Sequence, residues 1–151
     1  LLEIMARNGS DRAMIKMGLR TISSMAPGQG ADQVGGDGGC ALLTKLLSKY
    51  GEDLEMVAAI LDALANLTAN SPANRTRMGT DASVATVLKA MAASPQDAGV
   101  QLQCCRLITF VSQDKASVDA KERFGAAGCC AALSRTLLIC PEPWISSTSS
   151  P

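Results

Sequence analysis

Apolar residues recur at spacings of three and four along most of the chain, the pattern of amphipathic helices. Val57, Ile60, Leu61, Ala63, Leu64 and Leu67 form one wide apolar face. Asp53 stands where an N-cap belongs, and Glu52 and Glu55 suit the positive end of the helix dipole. The template returns 44 residues later in Cys104, Leu107, Ile108 and Val111, and 45 residues earlier in Ile15, Gly18, Leu19 and Ile22. A second helix type repeats too. Leu43, Leu46 and Leu47 follow Gly39; Val87, Leu88 and Met91 follow Ser83, 44 residues on; Leu133 and Leu137 follow Cys129, 46 further. A third, short helix starts at Ser71-Pro72, an N-cap with proline at the first helical position, and runs to Met78. Its counterpart spans Asp119 to Phe124. One unit earlier the same place holds Gly28, Gly30, Gly35, Gly36, Gly38 and Gly39. Glycine favours the unfolded ensemble, so Gly28 to Gly38 is expected to be an irregular, mobile loop.

A period near 45 with two longer helices and one short one predicts a helical solenoid. Ile60-Leu61-Asp62-Ala63-Leu64-Ala65-Asn66-Leu67 resembles the A-x-x-A-L-x-N-L motif of the armadillo repeat's longest helix. Gly39-Cys40-Ala41-Leu42-Leu43-Thr44-Lys45-Leu46-Leu47 is similar to the start of that family's second helix. Asn74 and Met78 match the Asn and large aliphatic of its first helix, and Pro95 to Gln101 resembles its loop into a helix. The resemblance runs from Leu1 to about Leu138. It implies an all-α, right-handed α-solenoid of about three armadillo-type repeats over 1–140, with units near 1–27, 28–70, 71–114 and 115–140. Neither end reads as a polar cap and the chain begins at Leu1, so a piece of a longer array is expected. Residues 141–151 lose the helical period and carry Pro141 and Pro143, which predicts a disordered tail. Its Trp144 is a docking anchor or, more commonly for such a residue, a cover for an apolar patch.

Composition narrows the function classes. Lys+Arg and Asp+Glu both number 14, giving zero net charge, which argues against binding nucleic acid or anionic membranes by bulk charge. Aromatic residues make up 3% of the chain, too few for base-stacking platforms. With no His, Ser-His-Asp triads, Cys-His dyads and His metal sites are excluded. At 47% hydrophobic and 19% charged, the chain reads as folded, with an aliphatic core that includes Leu43, Leu47, Leu64, Leu67, Leu107, Ile108 and Leu133. Charged residues or glycine interrupt every apolar run before it reaches the length of a membrane span. Leu1 to Met5 lacks the basic leader and long apolar stretch of a signal peptide. The expected setting is intracellular, the cytoplasm first and the nucleus as the alternative. Sequons at Asn8, Asn66 and Asn74 then read as chance matches.

Individual motifs carry little chemistry. The glycine-rich stretch has no Gly-Lys-Ser/Thr, and Gln33 stands where a dinucleotide fingerprint needs its third glycine. The six cysteines, Cys40, Cys104, Cys105, Cys129, Cys130 and Cys140, include two vicinal pairs. Neighbours on a helix point about 100° apart, so one pair does not converge on a single metal ion. Small buried hydrophobes are the simpler reading. A cysteine redox or metal sensor is a distant alternative, as is an adventitious Cys104–Cys129 disulfide under oxidation. The acidic residues are scattered, with no pair spaced for general acid–base work. No enzyme activity, cofactor, metal or small-molecule substrate is expected.

In peptide-binding armadillo proteins, the Asn of the long helix hydrogen-bonds an extended partner's backbone, and a larger residue one turn earlier packs its side chains. By position the resemblance implies Asn66 and Asp62 here, with Met17 and Thr21 one unit before and Arg106 and Phe110 one unit after. Only Asn66 keeps the amide, and no early-turn position carries Trp. The implied site is thus a short groove of mixed charge, which does not suit a basic localisation signal. The expected function is a non-catalytic module that binds a polypeptide on its concave face. The alternative is a purely structural segment, in which Asn66 only satisfies a neighbouring backbone group.

Overall fold

The computed structural model describes residues 1–113 and 118–139; the tail expected at 141–151, with Trp144, lies outside them, as does Cys140. The described residues form helices only: α1 Leu2–Arg7, α2 Arg12–Met25, α3 Gly30–Gly36, α4 Gly39–Lys49, α5 Leu54–Ala69, α6 Pro72–Met78, α7 Asp81–Ala93, α8 Ala98–Val111, α9 Val118–Ala126 and α10 Cys129–Ile139. Local chemistry sets most starts. Asp11, Asp53, Ser71, Thr80 and Asp97 each accept a hydrogen bond from the backbone N–H three residues on. Pro72 follows Ser71 at the first helical position, as the sequence predicts. Gly38 and Gly128 have φ of 90° and 82°, left-handed values that turn the chain sharply into α4 and α10.

Helices of one type lie beside their counterparts. The long helices α2, α5 and α8 pack in that order, α3 packs on α6, α1 on α4, α4 on α7, and α7 on α10. Being covered on both flanks, α5 buries Met56, Val57, Ile60, Leu61, Ala63, Leu64, Ala65 and Leu67 and leaves Asp62 and Asn66 half-buried on its remaining face. Leu43, Leu47, Leu107 and Ile108 join that core as expected, and Leu133 packs against it half-buried.

One expectation fails. Gly30–Gly36 forms the regular helix α3 rather than a loop. Burial outweighs glycine's propensity cost of about 1 kcal/mol per residue. Ala31, Val34 and Gly35 are buried in the core side of this helix. The buried Asn74 of α6 donates 2.7 Å to the Ala31 carbonyl and also reaches the Leu67 carbonyl at 3.3 Å. Its own carbonyl accepts from Arg77 at 2.8 Å. A methyl group at Gly35 would lie 2.7 Å from Asn74 Nδ2 and closer still to its Oδ1, so glycine is what lets α3 approach α6.

Candidate functional site

The stacking of α5 on α8 brings four predicted groove residues onto one surface. Arg106 spans the two helices. Its Nη1 donates to Asp62 Oδ1 at 2.7 Å and to Gln103 Oε1 at 2.6 Å, and its Nη2 donates to Asn66 Oδ1 at 3.1 Å. Asn66 Nδ2 in turn donates to Asp62 Oδ2 at 3.2 Å. Phe110 stands one turn beyond, half-buried against the core. Asn66 is therefore satisfied by side chains of its own and the next helix, not by a backbone group. One amide hydrogen and one lone pair of Asn66 are left for a ligand. Arg106 is only 35% exposed and is committed to Asp62, so it is a bridge before it is a contact.

The α2 residues stand differently. Met17 is 68% exposed. Thr21 turns its hydroxyl back onto the Met17 carbonyl at 3.1 Å. Counting from the caps Asp11, Asp53 and Asp97, the ninth residue is Arg20, Asp62 and Arg106, and the thirteenth is Ser24, Asn66 and Phe110. The step from α2 to α5 is thus 42 residues by the caps, while that from α5 to α8 is 44. Met17 and Thr21 lie about one turn nearer the start of their helix than Asp62 and Asn66 do, about 4.5 Å along the axis. Sequence reasoning missed Arg20, Ser24 and Gln103; equal counting from the three aspartate caps would have found them.

Near the helix starts, α2 and α5 are joined by a second polar cluster. Arg12 Nε donates to Asp53 Oδ2 at 2.7 Å, and Arg12 and Lys16 both bond Glu55. The Arg12 guanidinium, helped by the Met56 N–H, holds the Asp53 carboxyl below the usual range. Lys16 and Arg12 do the same for Glu55. These partners flank the stack and extend the polar strip towards the helix starts.

Among the described residues the cysteines do not assemble a centre. Burial pushes the Cys40 thiol up to about 11 and Cys104 up to about 12, far from thiolate chemistry at neutral pH. Burial also raises Cys129, with Cys130 and Cys105 adding to it. Cys104 and Cys129 are free thiols, not a disulfide. Among the described residues no group of three or more His, Cys, Asp and Glu side chains is placed to hold a metal ion. No helix there is long and apolar enough to cross a membrane. Comparison with protein-family models, with curated proteins and with solved structures finds no match.

Proposed function

We propose that this chain is a right-handed, armadillo-type α-solenoid acting as a non-catalytic binding module for a polypeptide laid across α5 and α8. The observation that carries the reading is the polar surface that Asp62, Asn66, Gln103 and Arg106 build across two stacked helices, with Phe110 beside it. A core needs no such surface; side chains this polar sit over apolar helices only where water or a ligand meets them. An extended peptide has an N–H and a C=O to offer at each residue, and the Asn66 amide complements both. Phe110 supplies an aromatic face, the kind of residue that anchors interfaces. Arg106 positions Asn66 and Asp62 more than it reaches outward.

The same closed network favours a second reading, a structural clasp between units with no ligand. Selection of peptides from a random displayed library against the chain separates the two. Binding of a selected peptide should fall at least tenfold in an Asn66→Ala, Phe110→Ala double variant and stay unchanged in Gln33→Glu on the opposite short helix. Peptides indifferent to the groove pair, or no selected peptide at all, would leave the clasp reading standing.

A further inference from the structure

The glycines at the end of α3 do more than let it approach α6. Gly35 is fixed by its contact with Asn74, but a methyl group at Gly36 or Gly38 would meet nothing within 4 Å. Glycine inside a helix is unfavourable, and Gly36 recovers nothing through a close contact. All three glycines line a cleft of about 620 Å³ between the α3–α4 corner and the α6–α7 corner. The polar groups of this cleft are donors. Lys45, exposed on α4, makes no hydrogen bond or ion pair among the described residues. Arg77 gives Nη1 to Asn74 Oδ1 at 2.8 Å, and its Nε and Nη2 stay uncommitted there. Burial pushes the thiol of Cys40, which also lines the cleft, up to about 11, and the Arg77 charge acts against that rise, so the field of the guanidinium reaches inside. Thr80 Oγ1 donates to Ser83 Oγ at 3.1 Å and accepts the Ser83 N–H at 3.4 Å. The two hydroxyls spend one proton on each other and keep the second, although Ser83 is only 8% exposed. No Asp or Glu among the described residues lines the cleft, and Asp81, beside Thr80, is turned to Arg123 at 3.1 Å. Another cavity, at the far end of α4, carries Glu52 and Asp53 along with Lys49 and Lys89 and has no such bias.

We propose that this cleft binds a small organic phosphate, its phosphoryl oxygens held by Lys45, Arg77 and the Thr80–Ser83 pair and its carbon skeleton laid over the glycines and Ala41. An ionised phosphate ester accepts hydrogen bonds at the phosphoryl oxygens and donates none there, which matches polar groups that donate. Arg77 suits it with a planar fork and Lys45 with a point charge. Size selects the class of occupant. The volume of about 620 Å³ falls among those of small-ligand sites, about 300–1,000 Å³. Along α4 the cleft runs from Ala41 to Ser48, about 10 Å, which is room for about three extended residues of a polypeptide. The glycines act by leaving space and not by wrapping the phosphate in a backbone loop, so no phosphate-loop fingerprint marks the site in the sequence. The inference does not rest on the surface at Asn66 and Phe110, which its test leaves untouched.

The test titrates phenyl phosphate, glycerol phosphate and AMP in turn into the ¹⁵N-labelled full chain, up to millimolar concentrations. At least one of them should give saturable shifts at the amides of Gly36, Gly38 and Ala41 and at the Arg77 Nε–H, with the Asn66 side-chain amide unmoved. Lys45→Glu, at an exposed side chain without a partner, should weaken that binding at least tenfold. Gly36→Leu, whose side chain enters open space, should fill the cleft and abolish binding. Circular dichroism checks that both variants keep the fold. Lys89→Glu, at the other cavity, should leave the affinity unchanged. Saturable shifts from none of the three phosphates would overturn the proposal, as would affinity indifferent to both Lys45→Glu and Gly36→Leu. Equal binding of the dicarboxylate glutarate would overturn the choice of phosphate. Inorganic phosphate binding as tightly as every ester would mean an adventitious ion only, and would overturn it too.

Discussion

Adjacent glycines in α3 should respond oppositely to the same substitution. Gly35→Ala places a methyl group 2.7 Å from Asn74 Nδ2 and closer to Oδ1, inside contact distance. Asn74 has nowhere to retreat. It is fully buried, it donates to the carbonyls of Ala31 and Leu67, and it accepts from Arg77. Overpacking of this kind costs about 1–3 kcal/mol. Each hydrogen bond that Asn74 gives up adds about 1 kcal/mol, more where a buried group is left unpaired. Against this, alanine gains about 0.5–1 kcal/mol of helix propensity over glycine. The balance is a loss of about 2–4 kcal/mol. At Gly36 a methyl group meets nothing within 4 Å, so Gly36→Ala should be neutral or stabilise by up to about 1 kcal/mol. Urea unfolding followed by circular dichroism reads both, as shifts of the midpoint in opposite directions. Stabilisation by Gly35→Ala of the same size as by Gly36→Ala would refute the close approach of α3 to α6.

Other consequences can be measured on the same material. Leu64→Ala removes a fully buried side chain from the centre of α5 and should cost about 2–5 kcal/mol in the same urea assay; a loss under 1 kcal/mol would mean the site collapses or is not core. Asp53 and Glu55 have folded pKa values below their unfolded ones, so their contribution is fully present above the unfolded carboxylate range, about pH 4, and is lost as pH falls through the lower folded values. Carboxyl titration by NMR should show both midpoints rising towards the ordinary range in Arg12→Ala, Glu55 less because Lys16 remains. In alkylation followed by mass spectrometry, exposed Cys130 should be modified well before buried Cys104, whose thiol stands near 12; equal rates would show that α8 opens readily.

Much of the fold was legible because its determinants are local. Asp53, Asp97 and Ser71-Pro72 announce helix starts through chemistry confined to one turn, and Leu64 or Leu107 announces a face through spacing alone. The misread helix α3 is stabilised by contacts made 43 residues away, where Asn74 meets Ala31 and fills the space beside Gly35; no local propensity contains that information. In the candidate site, the juxtaposition of Asp62, Asn66 and Arg106 followed from the repeat spacing. The bonds among them did not, because a spacing fixes which residues are level and not which one reaches across. Taking 45 as the step from α2 to α5 put Met17 and Thr21 level with Asp62 and Asn66. The apolar pattern tolerates a slip of three, since 15, 18, 19 and 22 fall on an apolar stripe under either step, whereas the caps do not.

The groove itself is tested most directly by mapping where a bound peptide lies. Backbone and side-chain amide spectra of the labelled chain, recorded with a library-selected peptide, locate its footprint residue by residue. The predicted footprint centres on the side-chain amides of Asn66 and Gln103 and the backbone amides around Arg106 and Phe110, with α3 and α6 unmoved. A footprint on α3 and α6 that leaves Asn66 unperturbed would contradict it.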